Sequence, residues 1–370
     1  MEEYPYPTWI EVNLSIIENN VKNLIKHAGV PLMAVVKANG YGHGSVEVSK
    51  AIISGGASYL SVARYCETIP LRNSQITNPI LVFGMVMPEE VDEAIANDVT
   101  ITLYSPEQVG FLAQRAATLG KVVTVHLKVD TGMGRLGVLP HEVLDLVRHV
   151  HALGNIHIEG VYSHFATADE PDHPLIRLQL QRFKEVMETL HAEGLQPRWV
   201  HIANSSALLY EKGTEFSMVR AGAAVYGILT RAGVPYPAHT LRHALTWKAR
   251  LISVKVMPKG WGISYGQTYV TADEEVIGVV PIGYADGFRR MSGNEVLIEG
   301  QRMPVVGRVC MDQCMVRLPK KYPIGTEVVI IGEQGSESIY SEELAARWET
   351  AEHDPTSALS LRIPRIYTRS

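Results

Sequence analysis

The sequence predicts an α/β chain with a β addition: an N-terminal (β/α)8, TIM-like barrel followed by a mostly antiparallel β domain. Three observations carry this reading. At roughly 150 residues per domain, 370 residues suffice for two or three domains with sizeable cores. Up to about residue 230, short β-branched runs alternate with longer stretches whose apolar residues recur at helical spacing. After about residue 240, strand-like runs follow one another with Gly and Pro between them.

The strand-like runs of the first part are Leu32–Val36, Tyr59–Ala63, Pro79–Gly84, Val99–Tyr104, Val123–Asp130, Ile158–Phe165, Arg198–Asn204 and Met218–Gly227. Between them lie amphipathic stretches. One places Leu14, Ile17, Val21, Leu24 and Ile25 on a stripe and is stopped by Gly29; another runs through Leu175, Leu178, Phe183, Val186 and Leu190 to Gly194. Alternating strands and helices imply a parallel sheet covered on both faces. Eight such units in about 230 residues suit a closed barrel. An open dinucleotide-binding sheet would want G-x-G-x-x-G after the first strand, a spacing the glycines of Lys37-Ala38-Asn39-Gly40-Tyr41-Gly42-His43-Gly44 do not keep. In the second part the strands are Leu245–Val256, Glu275–Ile282, Glu295–Glu299, Met303–Val309, Cys314–Leu318 and Glu327–Gly332, with Ser341–Trp348 the one helix. The break falls near Gly233-Val234-Pro235-Tyr236-Pro237, giving a barrel domain over 1–238 and a β domain over 239–370.

Composition narrows the function classes. With 46% hydrophobic and 20% charged residues the chain is an ordinary globular one, not a disordered one. A net charge of -5 leaves no basic footprint for nucleic acid. The apolar runs are strand-sized, far short of the roughly 20 residues of a membrane span. The opening Met1-Glu2-Glu3-Tyr4-Pro5 is acidic where a secretory signal would be basic and then apolar, so a cytoplasmic location is expected. Cys66, Cys310 and Cys314 make no disulfide framework, and Cys310-x-x-x-Cys314 has no second pair at zinc spacing, so no metal is expected.

Barrel sites collect at the C-terminal ends of the strands. Lys37 stands there, behind Met33–Val36 and before a glycine-rich turn. A lysine in such a place is either a solvated charge or a desolvated amine suited to a Schiff base. The fifth strand ends in Lys128 and leads to Arg135, the sixth carries His164, the seventh delivers Asn204-Ser205-Ser206, and the eighth Arg220-Ala221-Gly222-Ala223. The last two loops are where barrels commonly hold phosphate, and Ser205, Gly222 and Ala223 lie in them. Singly, Ser205 also reads as a helix cap, Gly222 as a turn, His164 as a core histidine and Arg135 as a surface charge. A Schiff-base lysine and a phosphate cradle on one barrel face together point to pyridoxal 5'-phosphate.

Several runs closely resemble alanine racemases. They are residues 34–44 (AVVKANGYGHG), 128–137 (KVDTGMGRLG), 162–165 (YSHF), 201–205 (HIANS), 219–222 (VRAG), 264–266 (SYG), 281–287 (PIGYADG), 307–313 (GRVCMDQ) and 362–365 (RIPR). They stand in the family's order and span nearly the whole chain. The resemblance implies a homodimer with its active sites at the interface. It also implies pyridoxal phosphate held on Lys37, with Lys37 acting as base on one face of the substrate α-carbon. Tyr265, reaching over from the partner subunit, would be the base on the other face; by itself it also reads as a cross-strand aromatic. An ordinary tyrosine, with a pKa of about 10, needs nearby positive charge to serve as a base, and His164 and Arg220 match the network behind it.

By the same resemblance Arg220 meets the pyridine nitrogen, where it donates without releasing its proton, so the ring is a weak electron sink and transamination is suppressed. Tyr41, Ser205, Gly222 and Ala223 match phosphate ligands; Arg135 and the Met311 backbone face the substrate carboxylate. Lys128 matches a lysine that can be carbamylated to orient Arg135, and Tyr284, Arg290 and Arg308 resemble residues of the entrance corridor. The implied activity is interconversion of L- and D-alanine, supplying D-alanine for peptidoglycan. One departure stands out: many members carry a tyrosine just before the final Arg-Val-Pro-Arg, and here Leu361 takes that place. Losing that hydroxyl would alter the pocket wall, which keeps a serine or broad-specificity racemase as the alternative.

Overall fold

A computed structural model describes residues 5–229 and 240–369. Strand β1 (Thr8–Asn13) precedes the barrel. The barrel strands are β2 (Leu32–Val35), β3 (Tyr59–Val62), β4 (Ile80–Val82), β5 (Thr100–Leu103), β6 (Val123–Lys128), β7 (Ile156–Tyr162), β8 (Trp199–His201) and β9 (Val219–Ala221). All eight expected strands are present and parallel, with neighbours consecutive in sequence and β9 lying against β2. The seam between β8 and β9 is crossed by Arg220 N donating to Ala203 O at 3.2 Å, so the barrel is nearly closed. The first helix, Leu14–Ala28, buries Leu14, Ile17, Val21 and Leu24, and Gly29 caps it at a φ of 67°. In the helix Pro174–Ala192 the buried stripe passes through Ile176, Gln179, Phe183, Val186 and Leu190, leaving Leu178 outside. Gln179 is buried because its amide bonds the His164 carbonyl (2.9 Å) and the Ala166 N–H (2.9 Å), which ties the helix to the loop after β7.

The second sheet comprises β10 (Leu245–Arg250), β11 (Ser253–Met257), β14 (Glu275–Val280), β15 (Glu295–Ile298), β16 (Gln301–Val306), β17 (Cys314–Leu318), β18 (Glu327–Gln334), β19 (Glu337–Ile339) and β20 (Arg365–Thr368), with β12 (Gly262–Ile263) and β13 (Tyr269–Val270) as a separate ribbon. It is antiparallel except where β1 pairs with β20. Two expectations are corrected. Residues 8–13, placed in the barrel domain by their position, lie in this sheet between β10 and β20. The expected single strand Leu245–Val256 is broken at Leu251–Ile252, because β10 pairs with β18 whereas β11 pairs with β14. The helix Ser341–Trp348 is as expected, and a short helix, Asp354–Ser357, follows it. The expected domain break at Gly233–Pro237 lies outside the described residues.

Candidate active site

A cavity of about 450 Å³ opens at the C-terminal mouth of the barrel. Lys37, Lys128, Arg135 and Arg220 line it, and no carboxylate is among its lining residues. Four cationic side chains around a space with no acidic wall suit an anionic occupant.

Lys37 enters directly behind β2, followed by a left-handed stretch in which Ala38, Asn39 and Tyr41 have φ of 51°, 54° and 52°. Each non-glycine residue in that region costs about 1–2 kcal/mol, so other contacts must hold the turn. Glu67 Oε1 accepts from Ala38 N (2.6 Å) and Asn39 Oδ1 accepts from Ser45 N (2.9 Å). Gly42 needs its missing side chain for a different reason: a Cβ there would lie 1.9 Å from the Thr356 carbonyl, where the C-terminal segment packs against the turn. Burial, followed by the Arg135 charge, lowers the Lys37 pKa from its ordinary value.

Arg135 is carried on a loop that Asp130 organises. Its carboxylate accepts from the backbone N–H of Gly132, Met133, Gly134 and Arg135 at 2.8–3.2 Å. Ser205 Oγ accepts from Gly222 N (2.9 Å) and, more weakly, from Ala224 N (3.4 Å), bringing the last two loops together. Tyr41 leans over that corner: a Cβ on Gly222 would fall 2.3 Å from the Tyr41 hydroxyl. Burial pushes the Tyr41 phenol well above its usual range, so the hydroxyl is a neutral donor.

Arg220 is buried at the base of the cavity, and its side-chain hydrogen bonds leave from Nη1 and Nη2. It meets His164 Nδ1 at 3.0 Å and His201 Nδ1 at 2.7 Å. Because arginine only donates, both imidazoles accept at Nδ1 and carry their protons on Nε2. Burial and then the Arg220 charge hold both pKa values well below the ordinary histidine value. Burial lowers Arg220 itself to about 10, which leaves it charged at neutral pH. Lys128 Nζ is buried without a hydrogen-bond partner, 4.8 Å from the centre of the Tyr162 ring, and burial holds it well below its ordinary value.

Of the residues singled out from sequence, Lys37, Tyr41, Lys128, Arg135, His164, Ser205, Arg220, Gly222 and Ala223 line this one cavity. Tyr265 and Met311 do not; they are 68% and 53% exposed on the second domain. Tyr284, Arg290 and Arg308 are also exposed, and a Cβ on Gly266 would lie 3.0 Å from Arg308 Nη1, beside Tyr265 in the chain. Leu361 is 79% exposed and, like Tyr265 and Met311, is absent from the wall of this cavity in the single protomer.

His353, which sequence reasoning missed, does line the cavity. Its ring packs edge-on against Tyr41 at 5.5 Å and its buried Nδ1 has no partner. Burial, then the Lys37 charge, lowers its pKa. The available signal was its place at the start of Asp354-Pro355, a helix opening in a region otherwise read as strands.

Fold and cavity together define a class: a two-domain barrel enzyme with a desolvated amine in a cationic pocket. The chain belongs to the alanine racemase family. Its residues 12–230 match the family's N-terminal domain and 244–367 its C-terminal domain. It is 46% identical over 380 residues to the alanine racemase of Halalkalibacterium halodurans, covering 100% of this chain and 97% of the relative. Alanine racemase 1 of Bacillus subtilis is 44% identical, with 97% of this chain and 92% of the relative covered. The crystal structure of alanine racemase from Bacillus anthracis with bound L-Ala-P superposes with a TM-score of 0.94 at 39% identity, covering 100% of this chain and 96% of that one.

Proposed function

We propose that this protein is a pyridoxal phosphate-dependent alanine racemase that interconverts L- and D-alanine in the cytoplasm, as a homodimer. The observation that carries the reading is the cavity: the Lys37 amine, of lowered basicity, shares it with Lys128, Arg135 and Arg220 and with a hydroxyl-and-amide corner. That donor set fits the group. Lys37 would hold its aldehyde carbon, and Tyr41, Ser205 and the N–H groups of Gly222 and Ala223 would hold its phosphate. When bound, the cofactor acidifies the α-C–H of an amino acid joined to it.

The remaining steps belong to the chain's residues. Arg135 binds the substrate carboxylate from a loop that Asp130 keeps rigid. Arg220 would face the ring nitrogen, where a guanidinium that only donates would keep that nitrogen unprotonated and so favour return of a proton to carbon. Lys37 takes or returns a proton on one face. Racemisation needs a second base on the other face, and Tyr265 is too exposed on its own protomer to be one there. A second copy would bring Tyr265 and the Met311 N–H to this cavity, with His164 Nε2–H placed to donate to the phenolate. Lys128, whose buried amine has no hydrogen-bond partner and a basicity lowered by burial, would be the carbamylated lysine that orients Arg135.

Alanine is favoured over the broader alternative, because the relatives over the full length of the chain are alanine racemases. Among the described residues no helix is long and apolar enough to cross a membrane. Supply of D-alanine to peptidoglycan completes the proposal. The test is chiral chromatography of L-alanine and L-serine after incubation with the purified protein and pyridoxal phosphate. D-Alanine in large excess over D-serine is expected; no D-enantiomer of either would overturn the reading.

A further inference from the structure

The barrel interior contains a polar line that this chemistry leaves unused. It begins at Arg220 Nη1, 2.7 Å from His201 Nδ1. The guanidinium can only donate, so His201 carries its proton on Nε2, which faces His126 Nδ1 at 3.0 Å. His126 must accept there and carry its own proton on Nε2. That atom faces Glu159 Oε2 at 3.5 Å, an ion-pair separation, and has no hydrogen-bond partner. A carboxylate only accepts, so the far end demands the same direction as the near end. The line therefore runs one way, from guanidinium to carboxylate.

The local backbone is shaped to make it. Val125 pairs with Ile158 but His126 pairs with Gly160, so Glu159 is the extra residue of a bulge in β7, a device that re-aims a side chain. Glycine follows because a Cβ at residue 160 would lie 2.7 Å from the His126 ring. Tyr59 donates to Glu159 Oε2 at 3.1 Å and steadies it. Tyr162 stacks on His201 at 4.9 Å and 12° and fixes its ring plane. Meanwhile the direct partners of Arg220 are all neutral: the carbonyls of Ser163, His201 and Ile202, and two imidazoles. A buried cation of this kind is costly without a counter-charge, and Glu159 is the carboxylate to which the line leads.

We propose that Glu159 and His126 are positioning residues for Arg220. They lock His201 in the tautomer that accepts from the guanidinium, and they supply its counter-charge through two imidazoles. The proposal rests on reading Arg220 as the ring-nitrogen contact of a racemase site.

The experiment combines 15N NMR of histidine-labelled protein freed of cofactor with separate kcat and KM values for the loaded enzyme. In the wild type, His126 and His201 should both be neutral Nε2–H tautomers, assigned by comparison with His126→Asn and His201→Asn. Glu159→Gln keeps an acceptor and should keep both tautomers. Glu159→Leu should disperse the His126 signals and lower kcat about tenfold, the usual scale for losing an outer partner of a functional histidine, with KM for alanine changed less than about twofold. An Nδ1–H tautomer at either wild-type histidine, or a Leu variant with unchanged 15N shifts and kcat, would overturn the proposal. Absence of D-alanine from the wild type would overturn the racemase reading instead, and the cofactor-free spectra would still report on the line.

Discussion

The Tyr41 hydroxyl occupies the space that a side chain at Gly222 would need, since a Cβ there would lie only 2.3 Å from it. The two residues lie in the segments that follow the first and last barrel strands, so this contact joins the Lys37 turn to the proposed phosphate corner. Gly222→Ala should push the hydroxyl away and weaken pyridoxal phosphate binding about tenfold, the scale of one lost hydrogen bond to a charged group. Tyr41→Phe should do the same. Fluorescence titration of the cofactor-free variants measures this, and unchanged affinity in both would remove Tyr41 from the phosphate site.

Lys37→Ala should leave a folded protein that no longer fixes the cofactor covalently. Borohydride treatment followed by mass spectrometry should attach the cofactor to the wild type at Lys37 and not to the variant. Racemisation should fall to background, and retained turnover would contradict the assignment.

The second base should come from another copy. Lys37→Ala and Tyr265→Ala homodimers should each be inactive, but their co-expression should restore activity, because one composite site of each mixed dimer keeps both residues. Failure to restore it, with mixed dimers demonstrated, would place Tyr265 elsewhere. Tyr265→Ala alone should also lose solvent-deuterium exchange selectively from one enantiomer; equal loss from both would count against two bases.

His353 and Leu361 make a direct contrast. His353→Leu removes a cavity-lining ring beside Tyr41 and Lys37, whereas Leu361→Ala trims a side chain that is 79% exposed. The ratio of kcat/KM for alanine to that for serine should change at least several-fold in the first variant, and less in the second. The reverse order would return Leu361 to the pocket wall.

Asp130 gives a pH prediction. Partial burial opposes its charge, but the N–H groups of Gly132, Gly134, Met133 and Arg135 hold its carboxyl below the ordinary aspartate value. A lowered folded value means that the contribution is complete above the unfolded pKa of about 3.9 and is lost as pH falls through the folded value. Asp130→Ala should therefore cost about 1–2 kcal/mol at neutral pH. The gap to wild type should narrow in acid, as read by denaturant unfolding; a gap independent of pH would mean that the carboxylate charge is not what holds the loop.

Hydrophobic periodicity and strand-mouth chemistry were enough to place the eight barrel strands and most of the cavity's residues, with Tyr41 added by the family resemblance. That succeeded because a parallel barrel delivers residues at strand ends to one face, so position along the chain implies position in space. Leu361 was less legible for the complementary reason: a residue in the C-terminal segment carries no comparable positional rule, and its exposure depends on how that segment packs across the Lys37 turn.

By itself the sequence determined the fold class, the family and the cavity-lining residues from Lys37 to Ala223, because alternating periodicities and ordered motifs are local properties. Tertiary structure alone decided that Thr8–Asn13 joins the second sheet, that His353 rather than Leu361 faces the cavity, and that Arg220 is linked to Glu159 through two histidines. Each of these depends on non-local packing. A strand is held between two others far along the chain, a helix opening docks on a turn more than three hundred residues away, and a bulge aims one carboxylate across a barrel.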